Sequence, residues 1–285
     1  YDVNSDGKVN FVSIGDSMTN GYGFEGYLQG ETGHDFLNGV GTYGEGSYAL
    51  QFESYLKEKY GADNVDHTKL AASALRAEDL LYLLGGRNEP ADDWFDEVEY
   101  YTGKSYAELA PYYQNAVKDA DIITLGIGNA SFGAFMLSRI TSALGVMGGS
   151  LSAEQIEAYK LENALALLEN EDDKAKVLEL YNKFSDMLFS YVGAEMAAAY
   201  NLNVVCDIFA YITANFILNF AKSVDKIVEL NEKENLEVIL IGLMNTTYGM
   251  VITVDENTSI PFGDIMDEMF GALNAYISAY VSAKQ

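Results

Sequence analysis

Four short apolar runs, each ending in small or polar residues, constrain the fold of this chain more than any other feature. The runs are 9–14, 66–72, 121–127 and 237–243. Continuous apolar runs of this length are typical of parallel strands that are buried on both faces. Helical spacing over 46–60 and 106–120 fills the gaps between them. The sequence therefore predicts an α/β fold, a three-layer doubly wound parallel sheet in the order 2-1-3-4.

A long helical insertion is predicted between the third and fourth strands. About a hundred residues separate them, whereas a crossover between parallel strands needs only about a dozen. We predict an insertion over 136–235 within a single domain that spans 1–285, with a helix start at Ser152, a charged connection at 169–176 and a further helix at 177–200. The insertion is either a structural subdomain packed on the sheet or a lid over an acyl or glycan pocket.

The carboxyl-terminal helix, predicted over 262–283, is followed by no further apolar run. A crossover helix normally returns the chain to its sheet, so a fifth strand is expected after it. We therefore expect these residues to lack the last strand of the sheet and the loop beyond it.

Charge and composition exclude several classes of protein. Acidic residues outnumber basic ones 43 to 17, and the net charge of -26 repels nucleic acid and anionic membrane surfaces. The most apolar long stretch, 202–221, contains asparagine, aspartate and threonine side chains, which favours a packed helix over a membrane span. The single cysteine, Cys206, excludes an internal disulfide, and its apolar neighbours indicate a buried thiol.

The amino-terminal segment is polar and carries no signal sequence. We expect a secreted or cell-surface bacterial protein whose signal peptide has been removed. Asp2, Asn4, Asp6 and Gly7 match the first half of a calcium-binding loop, but the twelfth position is Ser13 rather than glutamate. An acidic turn that leads into the sheet is therefore expected rather than a calcium site.

Ser17 directly follows the first predicted strand, and Asn129 follows the third. These strands flank the switch point of a 2-1-3-4 sheet, so both side chains are expected in one crevice at its carboxyl edge. A serine hydroxyl attacks an ester when a base takes its proton and donors hold the resulting oxyanion. The arrangement predicts that Ser17 and Asn129 grip one carbonyl between them, although both residue types are also common in ordinary turns.

Three sequence blocks resemble the first three blocks of the SGNH, or GDSL, hydrolases. They are Gly15-Asp16-Ser17, the run 72–80 and Gly126-Ile127-Gly128-Asn129, each at the end of a predicted strand. The similarity covers 9–132, with a looser match to 285. It implies a flavodoxin-like fold and hydrolysis of ester bonds by an esterase, lipase or acylhydrolase that needs no cofactor and no metal.

The resemblance also implies a role for individual residues. Ser17 is the nucleophile and its backbone N–H is one oxyanion donor, while the Asn129 amide is a second. Ala74 stands where the family has a glycine whose N–H is the third donor, a mild departure if its φ stays negative. Ala130 stands where the family usually has aspartate, and this change is expected to loosen the hydrogen bonding that orients Asn129.

The expected base is missing from the pattern. The family has a histidine near the carboxyl end, three residues after an aspartate, but no histidine follows His67 in this chain. His67 begins the second predicted strand and is expected roughly 17 to 20 Å from Ser17. His34 lies in the glycine-rich loop 30–46, which could fold over the crevice. Either the base histidine lies beyond Gln285, or the protein is a catalytically inactive domain that binds glycan or lipid.

The expected substrate is a small-molecule or polysaccharide ester, with acylated carbohydrate ahead of lipid. The stretch 92–101 and the later Tyr106, Tyr112 and Tyr113 are rich in aromatic and acidic side chains. Such a mixture either stacks on sugar rings and binds their hydroxyls or is ordinary packing with a solvated acidic face.

Overall fold

The computed structural model describes residues 4–27, 43–89, 97–145, 150–253 and 256–284. The chain forms two compact units. The first comprises Tyr1–Ala130, Asn219–Leu243 and Ser278–Gln285, and the second comprises Ser131–Leu218 and Met244–Ile277. Most of the predicted insertion 136–235 therefore belongs to the second unit, while its last residues fold with the first.

The elements of the described ranges are as follows. The strands are β1 (Val9–Gly15), β2 (Val65–Ala71), β3 (Ile122–Gly126), β4 (Glu237–Leu240), β5 (Ile252–Thr253) and β6 (Ser259–Ile260). The α-helices are α1 (Tyr48–Tyr60), α2 (Ala77–Leu83), α3 (Glu97–Thr102), α4 (Tyr106–Lys118), α5 (Met136–Ala143), α6 (Ala153–Tyr159), α7 (Leu161–Ala166), α8 (Glu171–Ala199), α9 (Leu202–Leu230) and α10 (Phe262–Ser282). A 3₁₀ turn at Ala62–Asn64 and a π-helical turn at Ser131–Phe135 complete the set.

The first unit is built on a parallel sheet in the order β2-β1-β3-β4, which confirms the predicted strand order. Gly15 pairs with Ala71 on one side and with Gly126 on the other, so β1, β2 and β3 end at the same level. The predicted run 237–243 is too long, since β4 ends at Leu240. Among the described residues no strand extends this sheet, and β5 pairs with β6 in a separate antiparallel ribbon of the second unit.

Helices cover both faces of the central strand. Phe11 of β1 is fully buried and meets Phe52 of α1 edge to face, with ring centroids 5.2 Å apart. Its neighbour Val12 is also buried and lies beside α4 on the opposite face, because successive side chains of a strand alternate. This placement of α1 and α4 is compatible with the predicted three-layer arrangement.

The second unit has a core of phenylalanine rings that contact one another edge to face or stacked. The Phe132 ring lies 5.4 Å from that of Phe216 and 5.5 Å from that of Phe270, while Phe184 stacks on Phe209 at 4.3 Å. Aromatic pairs at these separations add about 0.5 to 1.5 kcal/mol each beyond their buried area. The helices of this unit are therefore held by side chains that are far apart in sequence.

Polar side chains cap the first turns of α6 and α8 in the second unit. Ser152 caps α6 as predicted, because its hydroxyl accepts from Gln155 N–H and its own N–H donates to the Gln155 side chain. The charged connection predicted at 169–176 is wrong. Asn170 caps α8 instead, and the acidic residues that follow form the first helical turn, where negative charge complements the positive end of the helix dipole.

Helix α9 is the one described helix that is long and apolar enough to cross a membrane, and 67% of its most apolar stretch is buried inside the protein. Burial of this kind is typical of a core helix. Cys206 lies on α9, is fully buried as predicted, and has a pKa raised to about 12 by that burial. Its thiol is therefore protonated at neutral pH.

A buried polar chain connects α1 to the middle of the sheet. The Ser13 hydroxyl lies 2.8 Å from Nε2 of His67, and Nδ1 of His67 lies 2.8 Å from a Glu53 carboxylate oxygen. Tyr43 adds its hydroxyl 2.7 Å from that of Ser13. Burial lowers the pKa of His67 to about 4, with Lys69 and Lys57 acting in the same direction and Glu53 opposing them. His67 is consequently neutral at pH 7.

This chain of hydrogen bonds should make stability depend on pH. His67 titrates near 4 in the folded protein and near its ordinary value of 6.5 when unfolded. Between these values the unfolded state binds more protons, so the free energy of unfolding falls on acidification, by up to about 3 kcal/mol. The lowered pKa of Glu53 acts in the same direction.

Urea denaturation of the wild type and of His67→Gln at pH 7.5, 6, 5 and 4 measures this contribution. Because glutamine does not titrate, the stability difference between the two proteins should shift in favour of the variant as the pH falls. Parallel pH profiles for wild type and variant would contradict the assignment.

Candidate active site

Asp16 organises the carboxyl edge of the sheet. It is fully buried, and its carboxylate accepts the backbone N–H of Met18 at 3.1 Å and that of Ala130 at 3.2 Å. The N–H groups of Asn129 and Gly128 also face it, and its own N–H donates to the Gly126 carbonyl at 3.2 Å. Burial raises the pKa of Asp16 to about 6 although these four amides favour the ionised form. One carboxylate thus holds together the loops that follow β1 and β3.

The two loops approach each other closely because glycines end both strands. A side chain at Gly15 would place its Cβ 1.9 Å from the Thr19 hydroxyl and 2.5 Å from the Gly126 carbonyl oxygen. The space is used by Thr19, whose hydroxyl donates to that carbonyl at 3.2 Å and accepts from Tyr48 at 3.0 Å. Any larger residue at position 15 would push the loops apart.

Ser17 lies on the first of these loops. The residue is half-buried, and its hydroxyl makes no hydrogen bond to any part of the chain that the structure describes. Its carbonyl accepts from Tyr22 N–H at 2.9 Å, which closes the loop into a tight turn. The turn therefore fixes the backbone that carries the Ser17 hydroxyl.

Asn129 lies on the second loop, directly after Gly128, whose φ of 121° favours glycine. The residue is buried, with 7% of its surface exposed. Ala130, which was expected to weaken the orientation of Asn129, contributes through its backbone N–H to Asp16. The structure brings the loops of Ser17 and Asn129 together around one buried carboxylate.

Ala74 lies at the end of β2, beside the same edge, in an unexpected backbone conformation. Its φ is 66°, so the condition of a negative φ under which the alanine was expected to be a mild departure is not met. An alanine in this left-handed region costs about 1 to 2 kcal/mol because its Cβ crowds the following carbonyl. The turn is nevertheless fixed, since Leu75 N–H donates to the Ala72 carbonyl at 3.1 Å and the hydroxyls of Ser73 and Tyr27 lie 2.5 Å apart.

A buried charge cluster follows Ala74, and no role was predicted for it from the sequence. Arg76 Nε donates to Asp79 at 3.1 Å and its guanidinium lies 3.6 Å from Glu78. Burial raises the pKa of Asp79, while Arg76 lowers it. One Glu78 oxygen is buried without a hydrogen-bond partner among the described residues. The acids in the first turn of α2 are the sequence signal of this cluster, which lies directly after the turn that carries Ala74.

The described residues bring no imidazole to Ser17. His67 lies on β2 with its ring stacked on Phe11, 4.3 Å between centroids, and both ring nitrogens face Ser13 and Glu53. His34 lies outside the described residues. The arrangement therefore places Ser17 and Asn129 on adjoining loops, with no imidazole from the described residues beside Ser17.

Metal binding receives no support from the described residues, in which no three His, Cys, Asp or Glu side chains are grouped to hold an ion. In the amino-terminal acidic segment, Asn4 binds Asp121 and Asn235, and Asp6 accepts from Lys8 N–H at 2.9 Å. Asp2 lies outside the described part of the chain. These contacts agree with the predicted acidic turn.

The backbone of Ala74 provides a test of this local geometry. Ala74→Gly should raise the free energy of unfolding by about 1 kcal/mol, because glycine adopts a φ near 66° without the steric cost that alanine has. Thermal or urea denaturation measures the change. Ala72→Gly, two residues earlier and fully buried, is the matched control and should destabilise the protein. Destabilisation by both substitutions would contradict the left-handed conformation at Ala74.

Comparison of the chain with models of protein families, with curated proteins and with solved structures returned no match. The resemblance to the SGNH hydrolases thus depends on the three sequence blocks. In the structure these three blocks follow β1, β2 and β3 at the carboxyl edge of the four-stranded parallel sheet.

Proposed function

We propose that this protein is a serine-dependent ester hydrolase of the SGNH, or GDSL, acylhydrolase type, with a flavodoxin-like α/β fold. The observation that carries the proposal is the Asp16 carboxylate, which accepts N–H groups from Met18 and Ala130 and so holds Ser17 and Asn129 on adjoining loops. Ser17 is the nucleophile. The Ser17 and Ala74 N–H groups and the Asn129 amide are the oxyanion donors.

The proposed reaction proceeds in two stages. Ser17 Oγ bonds to the ester carbonyl carbon while a base takes its proton, and the tetrahedral oxyanion is held by the three donors. The carbon–oxygen bond to the alcohol then breaks, the alcohol leaves with the proton, and an acyl-serine remains. Water attacks this acyl group by the same route and releases the acid together with free Ser17.

The base in this proposal is a histidine that the described residues do not contain. His34 is one candidate, and a histidine beyond Gln285 is the favoured one. Asp16 is unsuited to the task, since its carboxylate is fully buried and occupied by backbone amides. The proposal therefore requires a second segment to approach Ser17.

A second candidate function follows from the position of His67. This histidine stacks on Phe11 and is hydrogen-bonded to Glu53. The described residues around Ser17 therefore contain the proposed oxyanion donors but no histidine that could act as the base. Such a site would bind a carbonyl or an acyl ester of a glycan or lipid without cleaving it. The alternative is a catalytically inactive SGNH-like binding domain.

The surroundings of Ser17 favour an uncharged ester as the substrate. Tyr22 and Phe24 lie on the loop that follows Ser17 and are 46% and 52% exposed. Phe24 rests on Gly46, where a Cβ would lie 2.3 Å from its ring, so the ring is supported from below. Aromatic surfaces of this kind accept sugar rings or acyl chains, and the net charge of -26 opposes anionic lipids. Acylated carbohydrate is the preferred substrate class.

The nucleophile can be tested by covalent labelling and by turnover. A fluorophosphonate probe should label the wild type at Ser17, and the protein that contains the proposed base histidine should release p-nitrophenol from p-nitrophenyl acetate, whereas Ser17→Ala should abolish both signals. Ser54→Ala, which changes an exposed serine on α1, is the matched control and should behave as wild type. Binding of an acylated sugar without labelling or turnover would support the inactive binding domain.

The oxyanion donor can be tested separately. Asn129→Ala should lower kcat by about 10²- to 10³-fold with little change in KM, because the amide acts mainly in the transition state. Steady-state kinetics on the same ester measures both constants. The control is Asn163→Ala, in α7 of the second unit, which should leave kcat unchanged. An unchanged kcat in Asn129→Ala would remove Asn129 from the proposed donors.

A further inference from the structure

A cavity of about 750 Å³ lies between α4 and the strands β1 and β2. Its floor consists of two neighbouring cross-strand pairs, Asn10 with Asp66 and Val12 with Thr68. Asn10 precedes the end of β1 by five residues, which is roughly 17 Å at the usual rise of a strand. The cavity is therefore separate from the edge that carries Ser17. We call it the α4 groove.

The wall of the α4 groove is one stripe of α4. Glu108, Tyr112 and Asn115 are three or four residues apart, so they share a helix face, and Asp119 continues this row directly after the last residue of α4. Tyr113, the next residue along α4 after Tyr112, is fully buried and donates its hydroxyl to the Leu70 carbonyl at 2.7 Å, which anchors the helix on β2. Wall and floor are thus parts of regular elements, and the groove is preformed.

The helix is also fixed at its start. The Ser105 hydroxyl caps α4 by accepting from Glu108 N–H at 3.3 Å, and Ser105 N–H donates to the Glu108 carboxylate at 2.9 Å. These two hydrogen bonds provide acceptors for backbone N–H groups that would have no partner in an uncapped helix. The groove can consequently bind a ligand without first ordering its wall, which favours affinity.

The polar side chains of the groove are available to a ligand. The side chains of Asp66, Thr68, Tyr112, Asn115 and Asp119 make no hydrogen bond to any residue in the described ranges. Together they present carboxylates as acceptors, an amide as both donor and acceptor, and two hydroxyls. Tyr112 is 44% exposed, and its ring lies near Lys104, whose Nζ is 5.7 Å from the centroid.

We propose that the α4 groove binds a neutral oligosaccharide, with a pyranose ring against Tyr112 and its hydroxyls held by Asn115, Asp119 and the floor residues. A sugar presents apolar C–H faces to an aromatic ring and pairs of hydroxyls to amides and carboxylates. The volume lies within the range typical of ligand sites. Tyr113, the neighbour that the sequence also offered as a platform, is buried in the core, so the stacking surface of the groove is Tyr112.

Other ligand classes fit the groove less well. Among the described residues, the carboxylates of Asp66, Glu108 and Asp119 outnumber the nearby cations, Lys233 in the lining and Lys104 beside Tyr112, so phosphates and acidic peptides are repelled. Besides the Tyr112 ring, the apolar side chains of the described lining are Val12, Pro111 and Ala116, which are small and offer too little apolar surface for a lipid chain. The carbohydrate assignment does not depend on Ser17 and goes beyond the proposed ester hydrolysis.

Isothermal titration calorimetry of the 285-residue chain with cellotetraose, xylotetraose, mannotetraose and maltotetraose tests the proposal. At least one of them should bind, and Tyr112→Ala should weaken that binding at least about tenfold, which corresponds to about 1.4 kcal/mol. Tyr112→Phe should retain most of the affinity because the ring remains. Tyr191→Ala removes a tyrosine of matched exposure, 45%, from α8 and should leave the affinity unchanged.

Three more variants locate the oligosaccharide on the protein. Asn115→Ala should weaken binding, Asp119→Asn should retain part of it, and Ser17→Ala should leave it unchanged, which distinguishes the groove from the ester site. Circular dichroism of Tyr112→Ala verifies folding. Absence of heat with all four oligosaccharides would overturn the proposal. So would equal weakening by Tyr112→Ala and Tyr191→Ala, or titrations with spermidine or calcium that show tighter binding lost in Asp119→Asn.

Discussion

The buried Asp16 carboxylate is the interaction on which the functional edge of this protein depends. Desolvation of a carboxylate is costly, and here it is offset by backbone amides from both sides, those of Met18 and of Gly128 to Ala130. Because every one of these partners is backbone, the bonds fix loop geometry whatever side chains the loops carry. The strand-end glycines, Gly15 and Gly126, allow this approach, and the two loops form a single rigid edge.

Two serines of β1 and its following turn illustrate how environment decides chemistry. Ser13 has the hydrogen-bond order of a catalytic triad, through His67 to Glu53, yet it is fully buried below Tyr43 and no substrate can reach it. Ser17, by contrast, is half-buried on the loop after β1, and no imidazole of the described residues lies beside it. The buried chain of hydrogen bonds links β1, β2 and α1, and the half-buried Ser17 carries the proposed reaction.

Parts of the fold were readable from the sequence because they depend on local patterns. The apolar runs predicted the four parallel strands and their order, and Ser152 with Gln155 predicted the start of α6. The connection at 169–176 was wrong because acidic residues are common both in loops and in the first turn of a helix, and the deciding signal was Asn170 as cap. The positive φ of Ala74 was not predictable from the sequence, because alanine rarely adopts it and no local pattern marks this turn.

The sequence by itself determined the strand order, the strand-end position of Ser17 and Asn129, and the acidic charge, because periodicity and composition act over short range. Only the tertiary structure decided which polar groups are buried and which remain open. In the folded protein His67 is hydrogen-bonded to Glu53, and the buried Asp16 carboxylate accepts backbone amides from two loops. Tyr112 stays exposed at the groove, whereas Tyr113 is buried in the core. Burial and partnership depend on residues distant in the chain, and no local pattern encodes them.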